Sequence, residues 1–127
     1  MQKNVLLVDN DAEYIEANKK AFEDDGFQVT TASTSLDALD KLNEYTPDII
    51  VTEIMLENKD SGFTFCYHSK KKHPEVPVII LSEVVRKTGI TFNLSTREDK
   101  DWIKADEFIN KPISPVSLVC RAKRLLG

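Results

Sequence analysis

Four polar clusters each stand at the end of an apolar run. They are Asp9-Asn10-Asp11 after Val5–Val8, Glu53 after Ile49-Ile50-Val51, Ser82-Glu83 after Val78–Leu81, and Lys111-Pro112 shortly after Ala105–Ile109. Together they supply carboxylates, an amide, a hydroxyl and an ammonium, a set suited to binding a charged group. It is not a set for nucleophilic catalysis, because no Ser-His-Asp or Cys-His arrangement stands out. No Gly-rich phosphate loop follows the first run, and Asp9-Asn10-Asp11-Ala12-Glu13 would repel an anion there. His68 and His73 are five residues apart, the wrong spacing for one helical face, and read as surface residues. Lys70-Lys71-Lys72 reads as a solvated helix end. Trp102 beside Ile103 reads as packing. Cys66 and Cys120 are too few and too distant for a disulfide framework or a Cys-rich zinc site, and are expected to pack as free thiols in a reducing cytoplasm.

These clusters matter only if the chain brings them together. Val5–Val8 is a short continuous apolar run, as expected for a strand buried on both faces. Residues 11–25 predict a helix capped by Asp11, with Ala12, Ile15 and Phe22 on one face and Gly26 as its stop. Phe27–Ala32 is a β-rich second strand. Ser35 predicts the cap of a helix with Leu36, Leu39 and Leu42 inward, closed by Pro47. Ile49-Ile50-Val51 is a third buried run, followed by a polar loop to about Ser61. Phe63, Cys66 and Tyr67 mark a third helix, ending in cations near Lys70–Lys72 that suit a helix C-terminus. Val78–Leu81 and Ala105–Ile109 predict the fourth and fifth strands. Residues 115–126 predict a last helix with Leu118, Ala122 and Leu125 inward.

The alternation implies a parallel sheet covered by helices on both faces. Ligands of such sheets bind beyond the carboxyl ends of the strands, where all four polar clusters fall. One stretch breaks the pattern. The 28 residues between Ser82 and Lys111 hold Gly89, the charged run Arg97–Asp101 and a Ser95-x-x-Glu98 capping box, but poor periodicity after it. A distorted or shortened fourth helix is expected there.

The 127 residues suit one domain, 1–127, with 41% hydrophobic and 30% charged residues. Apolar runs of four or five fall far short of the ~20 residues that span a bilayer, and the start lacks a secretory signal. A net charge of −4 argues against direct nucleic-acid binding.

The landmarks Val8-Asp9-Asn10-Asp11, Pro47–Met55, Val76–Ser82 and Ala105–Pro112, in that order and at these spacings, resemble those of response-regulator receiver domains of bacterial two-component signalling. The resemblance covers the whole chain. It implies a flavodoxin-like fold of five parallel strands in order 2-1-3-4-5, with the fourth-helix region atypical, a fold for which this family is itself a standard illustration. It further implies that Glu53 stands where an aspartate would accept a phosphoryl group. Mg²⁺ would be held by Asp9, Asn10, Glu53 and the Met55 carbonyl, with Asp11 offset by one residue. Ser82 matches the hydroxyl and Phe108 the aromatic of the switch, and Lys111 matches the site lysine. Asn10 replaces an acid, and Glu57 stands where a proline is usual.

These departures weaken the Mg²⁺ site and point to an atypical receiver (a pseudo-receiver) that is not an enzyme and has no organic cofactor. Its output would be protein contacts with a sensor kinase, an output domain or a dimer mate through the surface of residues 83–127, without direct nucleic-acid or membrane contact, in the cytoplasm. The alternatives are a phosphorylatable, Mg²⁺-dependent receiver using Glu53 or another carboxylate, and a small flavodoxin-like enzyme. With Gly127 directly after the last helix, the chain reads as a stand-alone receiver or a piece of a longer regulator.

Overall fold

The computed structural model describes residues 2–58, 61–82 and 105–127, with Ser82 described by its backbone alone. The elements are β1 (Asn4–Val8), α1 (Ala12–Asp24), β2 (Gln28–Ala32), α2 (Ser35–Glu44), β3 (Ile49–Glu53), α3 (Ser61–Lys72), β4 (Val78–Ser82), β5 (Glu107–Asn110) and α4 (Pro115–Leu126). All strand pairs are parallel, in the order β2-β1-β3-β4-β5. This is the expected strand order and flavodoxin-like fold. The expectations for residues 83–104, including the altered fourth helix, lie outside the described residues.

The continuous apolar runs are explained by the two faces of the sheet. Successive strand side chains point to opposite sides, so Leu6, Val8, Ile50 and Ile80 join the core under α2 and α3. Val5, Leu7, Val51 and Ile79 join the core under α1 and α4. A central strand with helices on both sides excludes charged residues until its end. That is why charge collects at the carboxyl edge.

Helix ends follow local chemistry. The Asp11 carboxylate accepts the Tyr14 N–H at 3.2 Å and caps α1. Gly26 adopts φ +91°, a left-handed stop that a side chain would strain. The cap of α2 is Thr34, one residue before the predicted Ser35.

Several inward faces differ from expectation. Ala12 is exposed, and the buried positions of α1 are Asn18 and Phe22. Leu36 is 70% exposed, and Ala38 takes its place inside. Tyr67 points outward while Phe65 is fully buried. In α2 and α3 the buried residue stands two positions from the expected one, about 200° round a 3.6-residue turn, so the inward side is a different face of the helix. β2 begins at Gln28 and β5 at Glu107. Phe27 instead leaves β2 to stack edge-on against Phe22, 5.0 Å between centroids. Cys66 is buried, with its thiol pushed up to about 12 by burial, but Cys120 is exposed and does not pack as expected.

One glycine fixes how close α3 comes to the sheet. A Cβ on Gly62 would lie 2.0 Å from the Glu53 carbonyl oxygen and 2.5 Å from Ile54 Cα, and the Gly62 N–H donates to the Ile54 oxygen at 2.7 Å. Backbone against backbone cannot yield. Gly62→Ala is therefore expected to destabilise the protein by about 3 kcal/mol or more, the upper end for overpacking. Gly26→Ala should cost only about 1 kcal/mol, for its left-handed backbone alone. Urea unfolding of the two variants beside the native chain measures both.

Candidate functional site

The carboxyl ends of β1 and β3 are adjacent, with Val8 opposite Thr52 in the register. Asp9 and Glu53 each follow or end these strands, and both are buried. Two buried carboxylates side by side need a cation. It arrives from just beyond β5: the Lys111 ammonium lies 2.8 Å from Asp9 Oδ2 and 3.2 Å from Glu53 Oε1. The Tyr14 ring covers it, 4.4 Å from ammonium to centroid, in cation–π geometry. Tyr14 in turn donates its hydroxyl to the Ile113 oxygen at 3.2 Å, tying α1 to the chain beyond Lys111. Burial pushes the Tyr14 hydroxyl above its ordinary pKa.

The remaining carboxylate oxygens are also occupied. Asp9 Oδ1 accepts the Asp11 N–H at 2.9 Å. Glu53 Oε2 folds back onto its own chain, accepting the Ile54 N–H at 2.5 Å and the Met55 N–H at 3.3 Å. Burial alone would lower the Lys111 ammonium. The hydrogen bond to Asp9 and the charges of Asp9 and Glu53 outweigh it, so its pKa rises above the ordinary value.

The other expected residues are placed as follows. Asn10 is exposed, and its side-chain N–H donates to the Leu56 oxygen at 3.3 Å, so the amide braces a loop. Asp11 is turned to the helix cap. Met55 contributes its N–H to Glu53. Phe108 is half-buried against the core under α2 and α3, opposite Ile80 in the register. Ser82 ends β4 opposite Asn110. Asp9, Glu53 and Lys111 are thus brought together, with Asn10 and Asp11 next to Asp9 in the chain, while Phe108 packs against the core. For Mg²⁺, which asks for several oxygens in near-ideal octahedral geometry, the fit is poor. One acid is an amide engaged elsewhere, the two carboxylates are saturated by an ammonium and backbone N–H groups, and no group of three His, Cys, Asp or Glu side chains suited to a metal forms among the described residues.

Sequence reasoning missed three participants. Tyr14 was not singled out at all. Gly62 gave no signal beyond its residue type. Glu57 stood out only as a residue out of pattern, yet it grips the start of α2: Ser35 N–H donates to Oε1 at 2.9 Å and Ser35 Oγ to Oε2 at 2.6 Å. Partial burial would raise the Glu57 carboxyl, but these bonds hold it down to about 2.

In residues 5–123 the chain matches the family described as the response regulator receiver domain. It is 31% identical over 133 residues to the phosphate regulon transcriptional regulatory protein PhoB of Escherichia coli (strain K12), covering 99% of this chain and 52% of that protein. It is 30% identical over 124 residues to the response regulator SaeR of Staphylococcus epidermidis, covering 98% and 50%. The chain therefore spans about half the length of these relatives. A CheY-like receiver domain protein from Methanospirillum hungatei superposes with a TM-score of 0.83 at 22% identity, over 99% of this chain and 94% of that one, a likeness of fold.

Two measurements check the site. Lys111→Met leaves Asp9 and Glu53 facing each other without a counter-ion, and is expected to cost about 3–5 kcal/mol at neutral pH. The Lys111 pKa is raised by folding, so its contribution is complete below the ordinary value of 10.5 and is lost as pH rises through the higher folded value. The stability gap between native and variant should close only above that pH. Glu57 works in the opposite sense: its contribution is complete above 4.5 and lost as pH falls towards 2. NMR titration should find its midpoint near 2, and Ser35→Ala should return it towards 4.5.

Proposed function

The chain belongs to the response regulator receiver domain family of two-component signalling, and from that premise we propose that it is an atypical receiver, held in one signalling state and not switched by phosphorylation at Glu53. One observation carries the reading. The donors around the position where a phosphoryl group would be held (the Lys111 ammonium and the Ile54 and Met55 N–H groups) are already taken by Glu53's own carboxylate.

Phosphoryl transfer rests on positioning and charge neutralisation. Glu53 carries its carboxylate one methylene further out than an aspartate would, about 1.5 Å. A misplacement of ~1 Å can cost on the order of 10²-fold in rate. Folded back onto its own backbone, the carboxylate does not lie open to an in-line donor. The poor fit to Mg²⁺ supports the same conclusion.

On this reading the 127 residues act as one receiver unit through protein contacts rather than catalysis, with no organic cofactor. The partner is a sensor kinase, an output domain or a dimer mate engaging the surface of residues 83–127, whose described part exposes Val116 at 71%. The relatives PhoB and SaeR are about twice as long, and PhoB is named as a transcriptional regulator. We assign no nucleic-acid contact to the shared half, since this chain's net charge of −4 opposes the phosphate backbone. Among the described residues no helix is long and apolar enough to cross a membrane.

The test is intact mass after incubation with a small-molecule phosphodonor and Mg²⁺. The native chain is expected to stay unmodified while Glu53→Asp gains one phosphoryl group. A phosphoryl gain in the native chain would overturn the proposal and identify a phosphorylatable receiver with an unconventional acceptor, to be located by peptide mapping.

A further inference from the structure

The backbone leaving Glu53 supplies the two N–H groups that hold its carboxylate, so whatever fixes that backbone fixes the site. We propose that Asn10 and Glu57 are positioning residues that clasp residues 54–58 from two sides, so that the pocket keeps its arrangement without any bound ion or anion. The proposal rests on the reading above and deepens it.

Successive residues of this segment are tied to different elements. The Ile54 oxygen accepts the N–H of Gly62 in α3 at 2.7 Å. The Leu56 oxygen accepts the Asn10 side chain, just beyond β1, at 3.3 Å. The Glu57 carboxylate takes both the N–H and the hydroxyl of Ser35, at the start of α2, at 2.9 and 2.6 Å. The Asn58 N–H donates to the Ser61 hydroxyl at 2.8 Å. The Leu56 side chain is buried in the core under α2 and α3. The segment is thus held from β1, α2 and α3 together.

The residue types at the two outer points are specific to the task. Asn10 must donate, because its partner is a carbonyl oxygen. An aspartate there would set a carboxylate against that oxygen and repel it. The amide that removes an acid from the pocket is therefore the group that latches the loop. Glu57 must be long and anionic. It spans from the loop to the first turn of α2, where unpaired N–H groups and the helix dipole favour a negative charge. Both its oxygens are used by one serine, which makes the grip directional as well as electrostatic.

Amide hydrogen exchange tests the clasp on the whole chain. In the native protein, exchange at residues 54–58 and at Ser35 should be the same with and without Mg²⁺ or inorganic phosphate. In Glu57→Ala, exchange at both places should quicken roughly tenfold, the scale expected when a charge-assisted pair of bonds holding a local segment is lost. Glu57→Gln, which can still accept at one oxygen, should fall between. Asn10→Ala should quicken residues 54–58 and leave Ser35 protected. Asn10→Asp should quicken residues 54–58 at least as much as Asn10→Ala. The exchange of β1 and β3 serves as the control and should change little. Native-like exchange in both alanine variants would overturn the clasp, as would a native segment protected only when Mg²⁺ or phosphate is added. Failure of the underlying reading is separate: it shows as a phosphoryl group on the native chain, whatever the exchange rates.

Discussion

A single ammonium between two buried carboxylates is the constraint on which the rest of this molecule depends. Asp9 and Glu53 stand at the ends of neighbouring strands with almost no access to water. Two like charges in that position are tolerable only with a counter-ion between them, and Lys111 supplies it from across β3 and β4. The contact links residues 102 positions apart in sequence. It can form only if β5 has taken its place at the sheet edge, so the correct strand order is a condition for neutralising the site. Buried ion pairs are weak contributors to net stability, but breaking one is costly. The triad is thus better understood as a penalty on wrong arrangements than as a source of stability.

The fold was legible because the sheet is covered on both faces. That demands unbroken apolar strands, and the chain supplies Val5–Val8, Ile49–Val51 and Val78–Leu81. Once the strands are placed, polar residues at their ends fall at one edge without further information. Helix faces were less legible. Leu36 lies outside and Ala38 inside, because Ala38 shares a face with the buried Leu42, four residues on, and Leu36 does not. Residue type carries no record of where a helix begins relative to its support. Cys120 is a similar case, an apolar residue beside the buried Val119 but turned to the surface of α4.

The site was legible in its charges and illegible in its supports. Asp9, Glu53 and Lys111 could be named because ionisable residues after apolar runs are conspicuous. The Tyr14 ring over Lys111 could not be, since a tyrosine in the first turn of a helix fits many roles. The need for glycine at 62 arises from a distance between two backbones, Gly62 and Glu53, and distance is not written in composition. Asn10 and Glu57 were visible only as departures from an expected pattern. Their contacts give each departure a donor or acceptor role that the expected residue would not fill.

A glutamate in this pocket cannot reproduce a phosphoryl group, and the size of the difference has a consequence. A phosphoryl group brings roughly −1.5 to −2 charge and three acceptor oxygens, against about −1 and two for a carboxylate. Carrying a two-state equilibrium from 1:99 to 99:1 takes about 5.5 kcal/mol of differential interaction. Glu53 engages one ammonium and two backbone N–H groups, yet spends part of that interaction keeping its own charge buried. On the proposed reading it therefore biases the molecule only in part, and the remainder of the constraint has to come from bonds that do not involve the pocket charge. Asn10 and Glu57 provide bonds of that kind, one neutral and one outside the buried triad. A receiver built in this way gives up a reversible change of charge for a fixed shape. Its response to a signal must then be governed by which partner is present and at what concentration, since an equilibrium moves only with a ligand that distinguishes its states.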